Sequence, residues 1–165
     1  MNMTLDDLFH ETLKDVYYAE RKLLSALKKQ ARGAADPALK EAFLAHREET
    51  ETHVERLQQV FEMIGKRPRG KTCDAIEGIV SEAEEVMEEF KGAPALDAGL
   101  LAAAQAAEHY EISRYGSLIA WAKSLGLKDA AALMEQTLAE EKAADQKLSK
   151  LAETAVNTAA KAKAA

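Results

Sequence analysis

Apolar residues recur at intervals of three and four along most of this chain, which is the spacing of one face of an α-helix. The first such stretch follows Thr4 and Asp7, a pair typical of a capped helix start. A second stretch begins at Asp36 and Pro37 and runs towards Gly65. Because the link between them is short, the two helices are predicted to form an antiparallel hairpin.

The second half of the chain repeats this arrangement. One long helix is predicted from about 94–97 to Ser124 and another from about Lys128 to Glu153, with Gly126 between them. A breaker-rich connection before them leads into a shorter amphipathic helix over about 72–90. The pattern therefore predicts an all-α four-helix bundle of two antiparallel hairpins, with a short fifth helix in the long connection.

Length and composition agree with one helical domain. The chain has 165 residues, of which 47% are apolar and 30% charged. We expect the domain to span 1–155, followed by a frayed tail over 156–165, where alanine and lysine leave little to bury.

Charge and cysteine usage narrow the class of protein. The net charge is -6 with both signs interspersed, so no nucleic-acid partner is expected. The single Cys73 cannot form an internal disulfide, and neither an export signal nor a membrane-spanning apolar run is apparent. A cytoplasmic protein without a membrane partner is the expectation.

Each long helix also carries acid in phase with its apolar stripe, near its middle. An ionised carboxylate in a core costs several kcal/mol unless it is compensated. Lysine and arginine are absent from these phases, so paired metal ions are the most direct counter-charge. The alternatives are a structural polar layer satisfied by hydrogen bonds and water, or glutamates that reach solvent at helix edges. The candidate ligands are Glu20, Glu49, His53, Glu108, Glu111, Glu141 and Asp145.

Other polar residues near these positions have open roles. His53 follows Glu49 by one helical turn, as Asp145 follows Glu141, so each can bind metal directly or orient a ligand. His46 is a candidate for orienting a carboxylate as much as for binding metal. Tyr110 can pack in the core or donate to a ligand, whereas Tyr17 and Tyr115 are expected to be core aromatics; no catalytic residue is assigned.

Four segments resemble the bacterial YciF/YciE stress-protein family, and the resemblance covers nearly the whole chain. It implies a ferritin-like fold related to rubrerythrin, with residues 72–90 forming a small helix at a two-fold homodimer interface. These segments are YAE at 18–20, AHREET at 45–50, AEHYEI at 107–112 and EEKAAD at 140–145.

The resemblance implies two metal ions per chain, with iron expected and manganese as the alternative. Glu20 and Glu111 would be terminal or bridging ligands, and Glu49 and Glu141 would bridge. The rubrerythrin-type pattern places a histidine three residues after glutamate in two helices, but Thr52 and Ala144 stand there in this chain. The resulting oxygen-rich ligand set suits iron or manganese.

The leading functional expectation is a di-metal carboxylate protein of the bacterial stress response that oxidises ferrous iron or breaks down peroxide. The alternative is a non-catalytic dimeric bundle whose metal site is vestigial or empty. Iron storage is a third reading, and it would require an assembly much larger than a dimer.

Overall fold

The two helices at the start of the chain begin at side-chain caps. The Thr4 hydroxyl accepts a hydrogen bond from the backbone N–H of Asp7, and the Asp7 carboxylate accepts one from the backbone N–H of Thr4. The Asp36 carboxylate caps the next helix by accepting from the Leu39 N–H at 2.9 Å. These bonds satisfy backbone donors that have no partner within the helix, as the sequence predicted.

A computed structural model describes residues 3–162, and this part of the chain is helical without strands. The predicted all-α fold with a short helix between two hairpins is confirmed. The long helices are α1 (Leu5–Gly33), α2 (Pro37–Met63), α4 (Leu96–Ser124) and α5 (Lys128–Leu151), and the short one is α3 (Asp74–Glu89).

The helices pack as α1 against α2 and α4 against α5, with α2 facing α5 and α1 facing α4. Helix α3 lies across α1 and α4. The two helices α3 and α4 pack closely at Gly99, where an added Cβ would lie 2.6 Å from the Val86 side chain. A residue without a side chain is therefore what lets α3 settle against α4.

A polar layer divides the core of the bundle. One apolar cluster lies on one side and includes Leu23, Phe43 and Leu100; the other includes Phe9, Leu57 and Leu118. Glu20 lies in α1 between the residues of the two clusters and is fully buried. Four carboxylates of the predicted site, Glu20, Glu108, Glu111 and Glu141, are buried in this layer and lie out of contact with bulk water.

The chain continues past α5 through a π-helical turn (Ala152–Val156) and a short helix α6 (Asn157–Ala160). Val156 is buried and packs with the apolar cluster of Leu23, so the described part of the predicted frayed tail begins inside the core. Residues 163–165, the rest of that tail, lie outside the described residues. Among residues 3–162, no helix is both long and apolar enough to cross a membrane.

Candidate metal centre

The site draws buried acidic side chains from three of the four long helices. Glu20 comes from α1, Glu108 and Glu111 from α4, and Glu141 from α5. Each stands in the helical phase of its apolar neighbours, and each is at least 98% buried. Their burial follows from the pattern that places core residues inward.

Helix α2 contributes two imidazoles, two helical turns apart on its inner face. His46 Nε2 lies 2.7 Å from Glu108 Oε1 and 3.5 Å from an oxygen of Glu141. His53 Nδ1 lies 2.8 Å from Glu141 Oε1 and 3.4 Å from Glu20 Oε1. Glu141 thus lies between the two rings and is near both.

The six side chains form two groups of potential metal ligands that share Glu141. Within each group, one nitrogen or oxygen atom per residue lies within 4.8 Å of the others. This spacing suits nitrogen and oxygen atoms around a single cation. The first group is Glu20, His53 and Glu141; the second is His46, Glu108, Glu111 and Glu141.

The hydrogen-bonding state of this cluster fits metal ions. Among residues 3–162, eight buried side-chain atoms have no hydrogen-bond partner, and all of them belong to these six residues. They include His46 Nε2 and His53 Nδ1, whose distances to carboxylates are short although their N–H directions miss those oxygens. Buried polar atoms are rarely left unpaired. Cations held in the two groups would give these atoms partners.

The electrostatics of the cluster give its groups unusual proton affinities. Burial alone would lower the pKa of His46, but its contacts with Glu108 and Glu49 raise this pKa to about 11. Burial likewise opposes protonation of His53, whereas Glu141 and Glu20 raise its pKa to about 10. Burial and neighbouring carboxylates raise the pKa of Glu111 well above its ordinary value. In the absence of metal, His46, His53 and Glu111 therefore hold their protons more tightly than the free side chains do.

On each of the two imidazole rings, the nitrogen that faces away from the cluster contacts a further carboxylate. His46 Nδ1 lies 3.1 Å from Glu49 Oε2. His53 Nε2 lies 2.9 Å from Glu140 Oε2, and Glu140 in turn accepts two hydrogen bonds from the guanidinium of Arg56. Carboxylates in such positions fix the orientation and tautomer of metal-binding histidines.

Two of the predicted ligands lie outside both groups. The Glu49 side chain is 50% exposed and contacts the outer edge of His46. Its predicted place in the core is taken by Thr50, because α2 buries His46, Thr50 and His53 in steps of four and three. Asp145 accepts hydrogen bonds from Gln105 and lies 3.1 Å from His109 Nε2, so its carboxylate is used away from the cluster.

The tyrosines also differ from expectation. The Tyr115 hydroxyl donates to Glu20 Oε1 at 2.6 Å, so this predicted core aromatic touches the cluster. Tyr110, considered as a donor to a ligand, instead has its hydroxyl 3.0 Å from Cys73 Sγ.

Glu140 and Arg56, which contact His53 and each other, were not predicted from the sequence. The sequence offered one clue to Arg56: it follows His53 by three residues, a spacing that places two side chains side by side on a helix.

The donor inventory equals that of bundles that hold two metals, although its distribution differs. Those bundles use four glutamates and two histidines, with one Glu-x-x-His pair on each of two helices. Here both histidines come from α2, while α4 supplies a pair of glutamates, Glu108 and Glu111. The same six donors therefore converge by a different assignment to helices.

Comparison with known proteins agrees with this geometry. Residues 4–161 match a family described as a domain of unknown function, DUF892. Protein YciF of Escherichia coli (strain K12) is 46% identical over 166 residues, covering 99% of this chain and 100% of YciF. These matches confirm the resemblance to YciF inferred from the four sequence segments.

Solved structures support the same relationship. The crystal structure of the E. coli stress protein YciF has a TM-score of 0.90 and 44% identity, covering 94% of this chain and 99% of that one. YcfI of Rhodopseudomonas palustris has a TM-score of 0.87 and 45% identity, covering 89% and 94%. The fold and the sequence thus point to the same relatives.

Proposed function

The chain belongs to the DUF892 family, and we propose that it is a ferritin-like di-metal carboxylate protein. The observation that carries this proposal is the convergence of eight unpartnered, buried nitrogen and oxygen atoms from six residues on four helices. Burying four glutamates together is costly unless cations compensate them. Two metal ions would provide that compensation and would bind the unpaired nitrogens of His46 and His53.

In this proposal Glu141 bridges the two ions, because it alone belongs to both ligand groups. Glu20 and His53 complete one site, and His46, Glu108 and Glu111 complete the other. Glu49 then supports His46 from outside the two groups, and Asp145 takes no part in the site. The mixture of carboxylate and imidazole ligands suits iron best, with manganese as the alternative.

Bound as a pair, such ions would supply redox chemistry, either oxidation of ferrous iron or reduction of peroxide. The protein's part is to keep the six donors in place and to exclude bulk water from them. The E. coli relative YciF is a stress protein, and we extend the stress-response role to this chain as part of the proposal. A cytoplasmic location belongs to the same proposal.

The direct test is metal content by plasma mass spectrometry, normalised to chain concentration, before and after reconstitution with ferrous iron or manganese. We expect about two ions per chain, as carboxylate-bridged bundles hold. Glu141→Gln should lose both ions because it removes charge from both sites. Glu135→Gln is the matched control on the same helix, since its side chain is exposed and pairs with Lys123 instead of the cluster. Two ions in Glu141→Gln would overturn the bridging assignment.

A second reading has one observation in its favour. His46 and His53, with pKa values of about 11 and 10, are able to remain protonated and to neutralise part of the acidic layer without metal. The R. palustris relative has been considered a structural protein. A chelated protein whose melting temperature ignores added iron and manganese would favour this reading, because a ligand that binds only the folded state must stabilise it.

We also propose a homodimer that pairs through α3, as the family resemblance implies. Phe90, just after this helix, is 43% exposed and offers apolar surface to such an interface. Sedimentation equilibrium should give twice the mass of one 18.0 kDa chain. A much larger mass would instead favour iron storage in a multi-subunit shell.

A further inference from the structure

A cavity of about 120 Å³ lies beside the metal centre, between α2 and α5. Two of the cluster residues, His46 and Glu108, form part of its wall. The rest of the wall is mainly apolar, so an apolar cavity lies next to a buried group of potential metal ligands. We name it the side chamber. Its other walls include Phe43, Ala45, Glu49, Ala104, Ala144 and Lys147.

The side chamber exists because small residues face one another where α2 passes α5. Ala45 on α2 and Ala143 and Ala144 on α5 leave the gap open. Elsewhere in the bundle larger residues such as Leu57 of α2 and Met134 of α5 are fully packed. Protein cores leave few voids of this size, so alanine at these positions is what makes the space.

The chamber has a solvent end and a metal end. Ala143, Glu49 and Lys147 are exposed, whereas Phe43 and Ala104 are buried. A molecule that entered beside Lys147 would lie against apolar walls as it reached His46 and Glu108, and Glu49 at the same mouth contacts His46 directly, 3.1 Å from Nδ1. The two exposed side chains have opposite charges, so the mouth offers no net attraction to an anion or a cation.

Size and polarity define the class of molecule that fits. A dry apolar cavity of about 150 Å³ takes up benzene or xenon. An ion would have to lose its hydration shell along the apolar walls, at a large cost in free energy. We propose that the side chamber binds a small uncharged substrate, no larger than about six heavy atoms, and delivers it to His46 and Glu108. The delivery step rests on the proposed function, because the substrate would react at the two metal ions.

The chamber itself is testable without metal. Xenon binding to the chelated, full-length protein is followed by the chemical shift of dissolved ¹²⁹Xe. We expect saturable binding to the wild type, competition by dichloromethane, and no competition by acetate or methylammonium. Linear, non-saturable shifts would overturn the chamber, and equal competition by either ion would overturn the uncharged class.

A filling variant locates the binding site. Ala144→Phe places a ring in the chamber and should abolish saturable xenon binding, and Ala45→Leu should do the same from the facing helix if the first variant folds poorly. The matched control is Ala132→Phe, which adds the same ring at an exposed position of α5. Xenon binding to both filling variants as in the control would overturn the assignment.

The delivery role is tested on protein loaded anaerobically with ferrous iron and mixed with dissolved dioxygen. We expect Ala144→Phe to bind as much iron as Ala132→Phe but to be oxidised at least tenfold more slowly. Equal rates in a variant that has lost xenon binding would overturn delivery. Failure of the wild type to bind iron would sink the proposed function and delivery together, whereas the xenon result would still decide whether the chamber binds uncharged molecules.

Discussion

Tyr115 of α4 donates a hydrogen bond to Glu20 of α1, with 2.6 Å between the phenolic oxygen and Oε1. Both side chains are fully buried. The bond joins the two hairpins at the level of the candidate metal centre and satisfies one oxygen of Glu20. The other oxygen, Oε2, has no hydrogen-bond partner and is left for the cluster.

Tyr115→Phe removes this donor and leaves a buried carboxylate oxygen unsatisfied. We expect the free energy of unfolding of the metal-free protein to fall by about 1–3 kcal/mol. Tyr17→Phe is the control, because its hydroxyl accepts a hydrogen bond from the half-buried Gln58 in α2. Urea denaturation of both variants measures the difference; an equal loss in the two would contradict a special role for the Glu20 contact.

Raised histidine pKa values predict how metal-free stability depends on pH. The folded pKa values of His46 and His53, about 11 and 10, exceed the ordinary value of 6.5. Stabilisation from a raised pKa is fully present below the unfolded value and is lost as pH rises through the folded value. The melting temperature of chelated protein should therefore fall from pH 6.5 to pH 9. His53→Gln should flatten this slope, and a wild-type melting temperature that rises over the range would refute the expectation.

Metal should reverse that trend. Histidine and carboxylate ligands must lose their protons before they bind a cation, so affinity increases with pH. The rise in melting temperature on adding manganese should consequently be larger at pH 8 than at pH 6.5. Differential scanning fluorimetry at fixed manganese concentration measures this shift. A rise that shrinks with pH would show that the metal binds elsewhere.

The contact from Arg56 through Glu140 to His53 should tune metal affinity. Glu140→Gln keeps the shape of the side chain but removes the charge that faces His53 Nε2. Loss of such a partner typically weakens metal binding 10–100-fold. Competition with a chromogenic chelator measures the change. The control is Glu135→Gln, which changes another glutamate of α5. Glu135 pairs with Lys123 of α4 at the surface, so its loss should leave metal affinity unaltered.

The packing of α3 on α4 depends on Gly99. Gly99→Ala would place a Cβ 2.6 Å from Val86 Cγ1. Crowding of this kind costs about 1–3 kcal/mol. Gly116→Ala on the same helix meets nothing within 4 Å, so higher helix propensity should make it neutral or stabilising by up to about 1 kcal/mol. Thermal melts of both variants provide the comparison, and a more stable Gly99→Ala protein would contradict this account of the packing.

Much of the architecture follows from local signals. Caps at Thr4 and Asp36 and the break at Gly126 specify helix ends, because they act within one turn of the backbone. The π-helical turn at Ala152–Val156 had no such signal. Burial of Val156 depends on its packing with distant parts of the chain, which the pattern of the last helix alone does not specify.

The candidate site was partly readable in the same way. Four of the glutamates stand in phase with the apolar residues of their own helix, so the pattern of each helix was enough to predict their burial: Glu20, Glu108, Glu111 and Glu141. Glu49 and Thr50 are different, since a small rotation of α2 decides which of the two faces inward. Packing against α1 and α5 makes that choice, so the sequence pattern placed Glu49 in the core and the structure places Thr50 there.

The helices, their pairing into hairpins and the carboxylates on their inner faces could all be predicted from the sequence, because periodicity and capping are local. The packed bundle was needed to show that His46 meets Glu108, that Glu141 lies between two imidazoles and that alanines facing across α2 and α5 leave a chamber. These relationships join residues far apart in the chain. They depend on the rotation and spacing of whole helices, which are set by the packing of the complete core.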